Sequence, residues 1–415
     1  LTFSETPVLG DSGMIRVYDA VTDQVVDSLD LSIPSGPTES RTYGPECDYT
    51  KVPYDYTRTV VPTNKDTRPG TPSGTAEPTP PVYQLTIIGG FTDAFHFYPV
   101  IVRDSIATIY LHNNMLEYGH TYYVTIDNGV LNLADGSFQG VTKEDEWTFT
   151  TKSDMPELSD TLIVDATGKG DFNTVQGALD FIPDFNERQT VILVNPGDYE
   201  ELVYTRNKWN VKIKGAGMAD TKVHYANNEV FNPHPLTVKT NEWPGTFPSR
   251  RAAFMLDNCK DIVIEDMTIA TDLKGQAEGL LINGERIALY RVHIIGSGDA
   301  LQANGTIYME SCELDGGGDT ILGRGSLFAY KSNFRNGGGP FSWVRNTAGN
   351  HGNVFVECTF STEDGKQADY ERTKSNHGSA YPDAEFVLID CKVKNIIPEG
   401  WSSIGAKTAK MYEYN

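Results

Sequence analysis

The chain has no run of about 18 apolar residues, which excludes a membrane-spanning helix. It has little basic charge: 34 Lys and Arg against 56 Asp and Glu leave a net charge of −22. Such a surface repels phosphate backbones and anionic headgroups, so neither nucleic acid nor a membrane is an expected partner. Cysteine is scarce and odd in number: Cys47, Cys259, Cys312, Cys358 and Cys391, with no CxxC pairing or metal-ligand spacing. That usage indicates neither a disulfide framework nor a zinc site. No secretory leader opens the chain, and Leu1 begins directly in strand-like sequence, so the natural start is expected to lie upstream. The LxxLxL repeats of a leucine-rich horseshoe are missing as well.

What is present is globular in character. Apolar residues make up 39% of 415, and the 39 glycines bring that to about half. The length exceeds one ordinary core, and the character of the sequence changes near residues 153–160. Residues 1–155 read as all-β. Thr121–Ile126 and Trp147–Thr151 are rich in β-branched and aromatic residues, and Asp127-Asn128-Gly129 and Ala134-Asp135-Gly136 supply turns. Six prolines between Val61 and Val82 predict a mobile surface loop. Several short strands separated by turns predict a β-sandwich. Thr108–Thr151 resembles the immunoglobulin-like modules that precede secreted bacterial enzymes, so residues 1–155 are expected to form such a module.

From residue 156 to 415 the pattern is different. Apolar Val175, Ala178, Leu179 and Ile182 fall at helical spacing, Pro183 follows, and a helix is predicted over Gln176–Ile182. Beyond it come short alternating segments: Ile262–Ile269, Ile287–Ile294, Ile307–Leu314, Leu327–Phe334, Val354–Phe360 and Phe386–Val393. Aligned by pattern, they place Met267, Val292, Cys312, Ser332, Cys358 and Cys391 in one column, at steps of 25, 20, 20, 26 and 33 residues. A small residue recurring every coil is the signature of a parallel β-helix, whose like side chains stack along the axis. Three cysteines in that column read as a core ladder rather than as redox or nucleophilic groups.

A solenoid turns spacing into proximity, because neighbouring coils lie about 4.8 Å apart. Asp299 follows Val292 by seven residues and Asp319 follows Cys312 by the same seven, so the two carboxyls should meet on one face. Gln276 is expected on the adjacent coil. Two carboxylates in contact cannot both ionise freely, so one becomes a proton-bearing acid and the other an ionised nucleophile or base. Glycines on both sides (Gly296, Gly298 and Gly316–Gly318) would let a polymer approach. Read singly, each aspartate could equally be a turn residue capping local amides.

These residues carry a resemblance. Residues from about Leu162 to Trp401 resemble the pectin methylesterases, carbohydrate esterases built on a right-handed parallel β-helix. The resemblance runs through GKGDFNTVQGALDFIP (Gly168–Pro183), Gly197-Asp198-Tyr199-Glu200-Glu201 (the family's GxYxE), and the stretch from Gly275 to Gly305 that parallels QAVAL and QDTL. It continues through Asp319-Thr320-Ile321-Leu322-Gly323 (DFIFG) and Pro398-Glu399-Gly400-Trp401 (PxGW). It implies an all-β chain, an immunoglobulin-like β-sandwich followed by a right-handed parallel β-helix. It also implies Asp319 as nucleophile on a galacturonate methyl ester, Asp299 as general acid and then base, and Gln276 as oxyanion donor, with no metal or other cofactor. Tyr199, Trp343, Arg324, Trp401 and His377 become the expected substrate-binding residues.

The departures are specific. Gly298 stands where the family has a second oxyanion glutamine, and Thr320 replaces the aromatic after the nucleophile. The segment aligned with the family's LGRPW reads Asn376-His377-Gly378-Ser379-Ala380-Tyr381-Pro382, without arginine or tryptophan. Arg345 is therefore the expected partner of the nucleophile, with Arg324 second. His351 and His377 are expected on loops over the same face. The expectation is a secreted or periplasmic monomer acting on pectin or a related uronate polysaccharide. A uronate lyase, a glycoside hydrolase and a decayed carbohydrate-binding solenoid are the alternatives.

Overall fold

The computed structural model describes residues 1–37, 83–91, 94–145, 147–232, 249–372, 381–401 and 408–415. The proline-rich segment Val61–Val82 and His377 lie outside the described residues. The chain forms two compact units, Leu1–Glu157 with Val230–Leu236, and Leu158–Glu229 with Thr237–Asn415.

The first unit is built from small antiparallel sheets. Among the described residues the largest has four strands in the order Trp147–Thr150, Thr121–Ile126, Met14–Asp19, Val25–Asp30. Met14–Asp19 alternates between half-buried and buried positions, which sends Ile15 and Val17 into a core shared with Leu29, Tyr122, Val124 and Ile126. Asp127-Asn128-Gly129 turns the chain as expected, with Gly129 at φ +92° and Val130 N–H donating to the Asp127 carbonyl.

Among the described residues, the second unit is a parallel β-helix of twenty strands paired coil to coil. Ile287 pairs with Ile307, Ile307 with Leu327, Leu327 with Asn353, and Asn353 with Phe386. The residue before each member of the predicted column sits in the left-handed region: Asp266, Arg291, Ser311, Lys331, Glu357 and Asp390, at φ between 49° and 57°. Each left-handed non-glycine residue costs about 1–2 kcal/mol, and here it turns the strand through the corner between two faces of the solenoid. Ladder hydrogen bonds run across that corner, Asn333 N–H to the Cys312 carbonyl and Thr359 N–H to the Ser332 carbonyl.

The column residues fill the corner from inside. Ser332 Oγ accepts the Cys312 N–H at 3.1 Å, and Cys312, Cys358 and Cys391 donate their thiols to backbone carbonyls. Burial pushes the Cys312 thiol up to about 11, which keeps it un-ionised. Farther along, Phe334, Phe355, Phe360 and Phe386 form an aromatic cluster with centroids about 5 Å apart, Phe334 stacked on Phe360 and both set edge-on to Phe355.

The helix runs Val175–Phe181, one residue earlier than its sequence pattern suggests. Thr174 caps it by accepting the Gly177 N–H, and Pro183 forces Ile182 into an extended conformation. Its first two amides donate to Glu201, each at 2.8 Å. The glutamate of GxYxE is thus a helix cap.

Candidate active site

The sheet register brings the two aspartates together. Leu301 pairs with Ile321 and Gln302 with Leu322, and both the Ala300 and Leu301 amides donate to the Thr320 carbonyl. Asp299 and Asp319 therefore occupy equivalent places on successive coils, and both are buried. The glycines before them explain the open approach. A Cβ on Gly318 would meet the Gly298 carbonyl oxygen at 2.9 Å, and one on Gly339 would meet the Gly318 Cα at 3.1 Å. Only a side-chain-free stack lets the three coils close this tightly.

The two carboxyls sit in different electrostatic surroundings. Arg372 grips Asp319 with both prongs of its guanidinium, Nε donating to Oδ1 at 2.8 Å and Nη2 to Oδ2. That fork is the planar two-bond arrangement in which guanidinium and carboxylate pair most specifically. Burial pushes the Asp299 carboxyl up to about 7; Arg251 pulls against it, Glu278 and Asp319 push it higher, and Arg345 pulls it back. Asp369, two coils beyond Asp319 in the same column, is also raised, by burial and then by the Asp319 charge. The two carboxyls are thus unequal, one gripped by a guanidinium and the other pushed up to about 7, and an unequal pair of this kind can serve as acid and nucleophile.

Gln276 lies on the preceding coil, but opposite Ser297. The Ser297 amide donates to the Ala277 carbonyl, and Ser297 Oγ accepts the Gly275 N–H. The residue in register with Asp299 is Glu278, because Leu280 pairs with Leu301. Glu278 is fully buried. Arg251 ties these groups together. Its Nε donates to both Glu278 oxygens at 2.8 and 2.9 Å, its Nη2 to Asp299 Oδ2 at 3.0 Å, and its Nη1 to Gln276 Oε1. With its oxygen taken, the Gln276 amide has its NH2 left to donate.

Several expected residues are placed differently. The guanidinium on Asp319 belongs to Arg372, in the coil after Trp343 (Ser342 bridges Glu371), and not to Arg345. Arg345 lies against the Trp343 ring at 4.4 Å, and Arg372 at 4.2 Å, so this tryptophan steadies the arginines. Tyr199 is a correction too: it is buried in the core, its hydroxyl donating to the Asn195 carbonyl at 2.8 Å. Trp401 packs on Tyr370 and Phe386 at 5.1 and 5.6 Å, which makes it part of the core's edge. Arg324 faces the Tyr381 ring at 5.7 Å. His351 is exposed and pairs with Glu385 at 2.9 Å.

Arg372, Arg251 and Glu278 are the site residues that sequence reading missed. Counting one coil of 21 residues back from Asp299 would have found Glu278. Among the described residues, Glu200, His224 and Asp272 are the group whose ligand atoms, within 4.8 Å of one another, could hold a metal ion. They belong to coils before the aspartate pair.

A model of the family described as Pectinesterase matches residues 161–412. The chain is 30% identical over 170 residues to Pectinesterase QRT1 of Arabidopsis thaliana, covering 39% of this chain and 43% of that protein. It is 29% identical over 165 residues to Pectinesterase 31 of the same plant, covering 39% and 51%. The chain thus spans about half the length or less of these relatives. Among solved structures, it is similar to pectin methylesterase from carrot (TM-score 0.49, 18% identity, 61% of this chain and 81% of that one). It is also similar to PemA from Erwinia chrysanthemi (TM-score 0.49, 17% identity, 61% and 88%).

Proposed function

The chain belongs to the pectinesterase family, and from that premise we propose that it hydrolyses methyl esters of galacturonate in pectin or a related uronate polysaccharide. The observation that carries the reading is the unequal pair, Asp319 held by Arg372 beside Asp299 poised at about 7. Asp319 attacks the ester carbonyl carbon, and the carbonyl electrons move onto oxygen. The Gln276 amide donates to that oxyanion. As the intermediate collapses, the C–O bond to the methoxy group breaks and Asp299 gives its proton to the departing methanol, leaving an acyl anhydride on Asp319. Asp299, now ionised, takes a proton from water, whose oxygen attacks the acyl carbon; galacturonate leaves, and both carboxyls return to their starting states.

Two further groups support a sugar-binding trough. Among the described residues, Gln302 Oε1 and Trp343 Nε1 are buried polar atoms with no hydrogen-bond partner, and their backbones share one column through Leu322. Buried orphan groups are costly, and a small side-chain rotation at either would offer the orphan atom to a hydroxyl-rich ligand. We read the first unit as an immunoglobulin-like spacer, supported by its alternating antiparallel strands. Action outside the cell, as a monomer, fits a plant polysaccharide substrate.

The test is product analysis on highly esterified pectin with the parent, Asp299→Ala and Asp319→Ala. Methanol from the parent alone supports the esterase. An ultraviolet-absorbing unsaturated uronate would instead identify a lyase, and new reducing ends a glycoside hydrolase.

A further inference from the structure

Arg251 is enclosed by acceptors. It donates to Glu278, Asp299 and Gln276, and a further anion, Glu229, acts on it. Glu278 is fully buried one coil from Asp299, where no step of the ester chemistry uses it. A buried ion pair is seldom a gain in stability over apolar residues of the same size, so its placement beneath the acid calls for another explanation.

We propose that Arg251 and Glu278 are positioning residues that hold Asp299 and the Gln276 amide in place and set the pH at which Asp299 gives up its proton. The inference rests on the esterase reading above. The geometry supports both halves. One guanidinium bridges the acid and the oxyanion donor, so the two move as one body. Arg251 is also the only cation hydrogen-bonded to Asp299 among the described residues, and Glu278 competes for it with two oxygens.

The charges facing Asp299 are Arg251 and Glu278 from the preceding coils, Asp319 from the next, and Arg345 and Arg372 beyond it. Removing the Glu278 anion takes away a charge that raises Asp299 and releases Arg251 to stabilise its carboxylate. Both effects lower the Asp299 pKa. Removing Arg251 together with Glu278 withdraws a pull and a push at once.

The test is the pH profile of methanol release by the full chain. Since Asp299 must be protonated to serve as acid, kcat/KM should fall on the alkaline side as it ionises. In Glu278→Gln that limb should move towards acid by about one pH unit, the size expected of one adjacent charge. In the Arg251→Gln/Glu278→Gln double variant, it should return towards the parent position while kcat falls, because Gln276 has lost its anchor. Arg251→Lys, which keeps the charge and loses the fork, should hold the limb and lower kcat. Folding is checked by circular dichroism, and a 13C-carboxyl NMR titration of Asp299 reads the same shifts without turnover. A folded Glu278→Gln protein with an unmoved limb and an unmoved Asp299 titration overturns the inference. A parent that releases no methanol at any pH overturns the esterase reading instead, and the NMR titration still decides whether the pair tunes Asp299.

Discussion

Arg372 and Asp319 meet fork to carboxylate, across 53 residues of sequence and through two hydrogen bonds. The fork holds both carboxylate oxygens in one plane, which on the proposed mechanism fixes the direction of nucleophilic attack. Hydrogen bonds to charged groups contribute about 1.5–3 kcal/mol each. Arg372→Ala should therefore lower kcat by roughly 10²–10³-fold at 1.4 kcal/mol per decade, with KM little changed. Arg372→Lys, a point charge without the fork, should recover only part of the loss. Initial rates of methanol release decide it; a near-parental kcat in Arg372→Ala would remove the ion pair from the mechanism.

The buried Asp299 carboxyl makes stability depend on pH. Its folded-state pKa, about 7, lies above the ordinary 3.8. The folded protein thus binds a proton that the unfolded chain has released between those values. Stability from this group is present below about pH 4 and is lost as pH rises through 7. At 1.36 kcal/mol per unit the loss is at most about 4 kcal/mol. Asp299→Asn, neutral at every pH, should abolish methanol release yet raise Tm at pH 8 by several degrees, with the gain vanishing at pH 4. Calorimetry at the two pH values tests it, and a gain of equal size at both would refute the linkage.

Much of this architecture was legible because a solenoid repeats one demand per coil. Each corner needs a left-handed residue followed by a small or apolar one, so Ser311-Cys312, Lys331-Ser332 and Glu357-Cys358 mark the coils even without sequence identity. Asp299 and Asp319 were legible for the same reason, being one coil of 20 residues apart with no loop between them to blur the count. Arg251 and Arg372 were not. They reach the aspartates from segments with no fixed offset from the column, so only folding reveals the contact. Tyr199 and Trp401 failed differently: an aromatic in a family motif says that something packs there, and in both places it is the core.

Gly298 bears on the proposed oxyanion donor, Gln276. A Cβ there would meet the Gly275 carbonyl oxygen at 2.8 Å and the Gln276 Cα at 3.2 Å, so any side chain pushes on the turn that carries the oxyanion amide. Gly298→Gln, which restores the residue expected by resemblance, should therefore lose activity. We expect at least a tenfold fall in kcat and a destabilisation of about 1–3 kcal/mol, the usual cost of overpacking. A rise in kcat would mean that the backbone gives way and that a second donor is tolerated.

The net charge of −22 acts on the substrate as a whole. Fully esterified galacturonan is neutral, whereas each hydrolysed ester adds a negative charge, so on the proposed activity the protein would repel its product more than its substrate. At low ionic strength KM should therefore rise as the degree of methylation falls. Because the Debye length shrinks from about 30 Å at 0.01 M salt to about 3 Å at 1 M, added salt should narrow the difference mainly by lowering KM for the sparsely esterified polymer. The arginines at the site (Arg251, Arg324, Arg345 and Arg372) oppose this locally, but all except Arg324 lie within reach of Asp299 or Asp319, whose charges offset theirs. Steady-state kinetics on pectins of graded methylation at 0.01 and 0.5 M NaCl provide the measurement. Equal KM values across the series at low salt would show that the surface charge takes no part in selecting substrate over product.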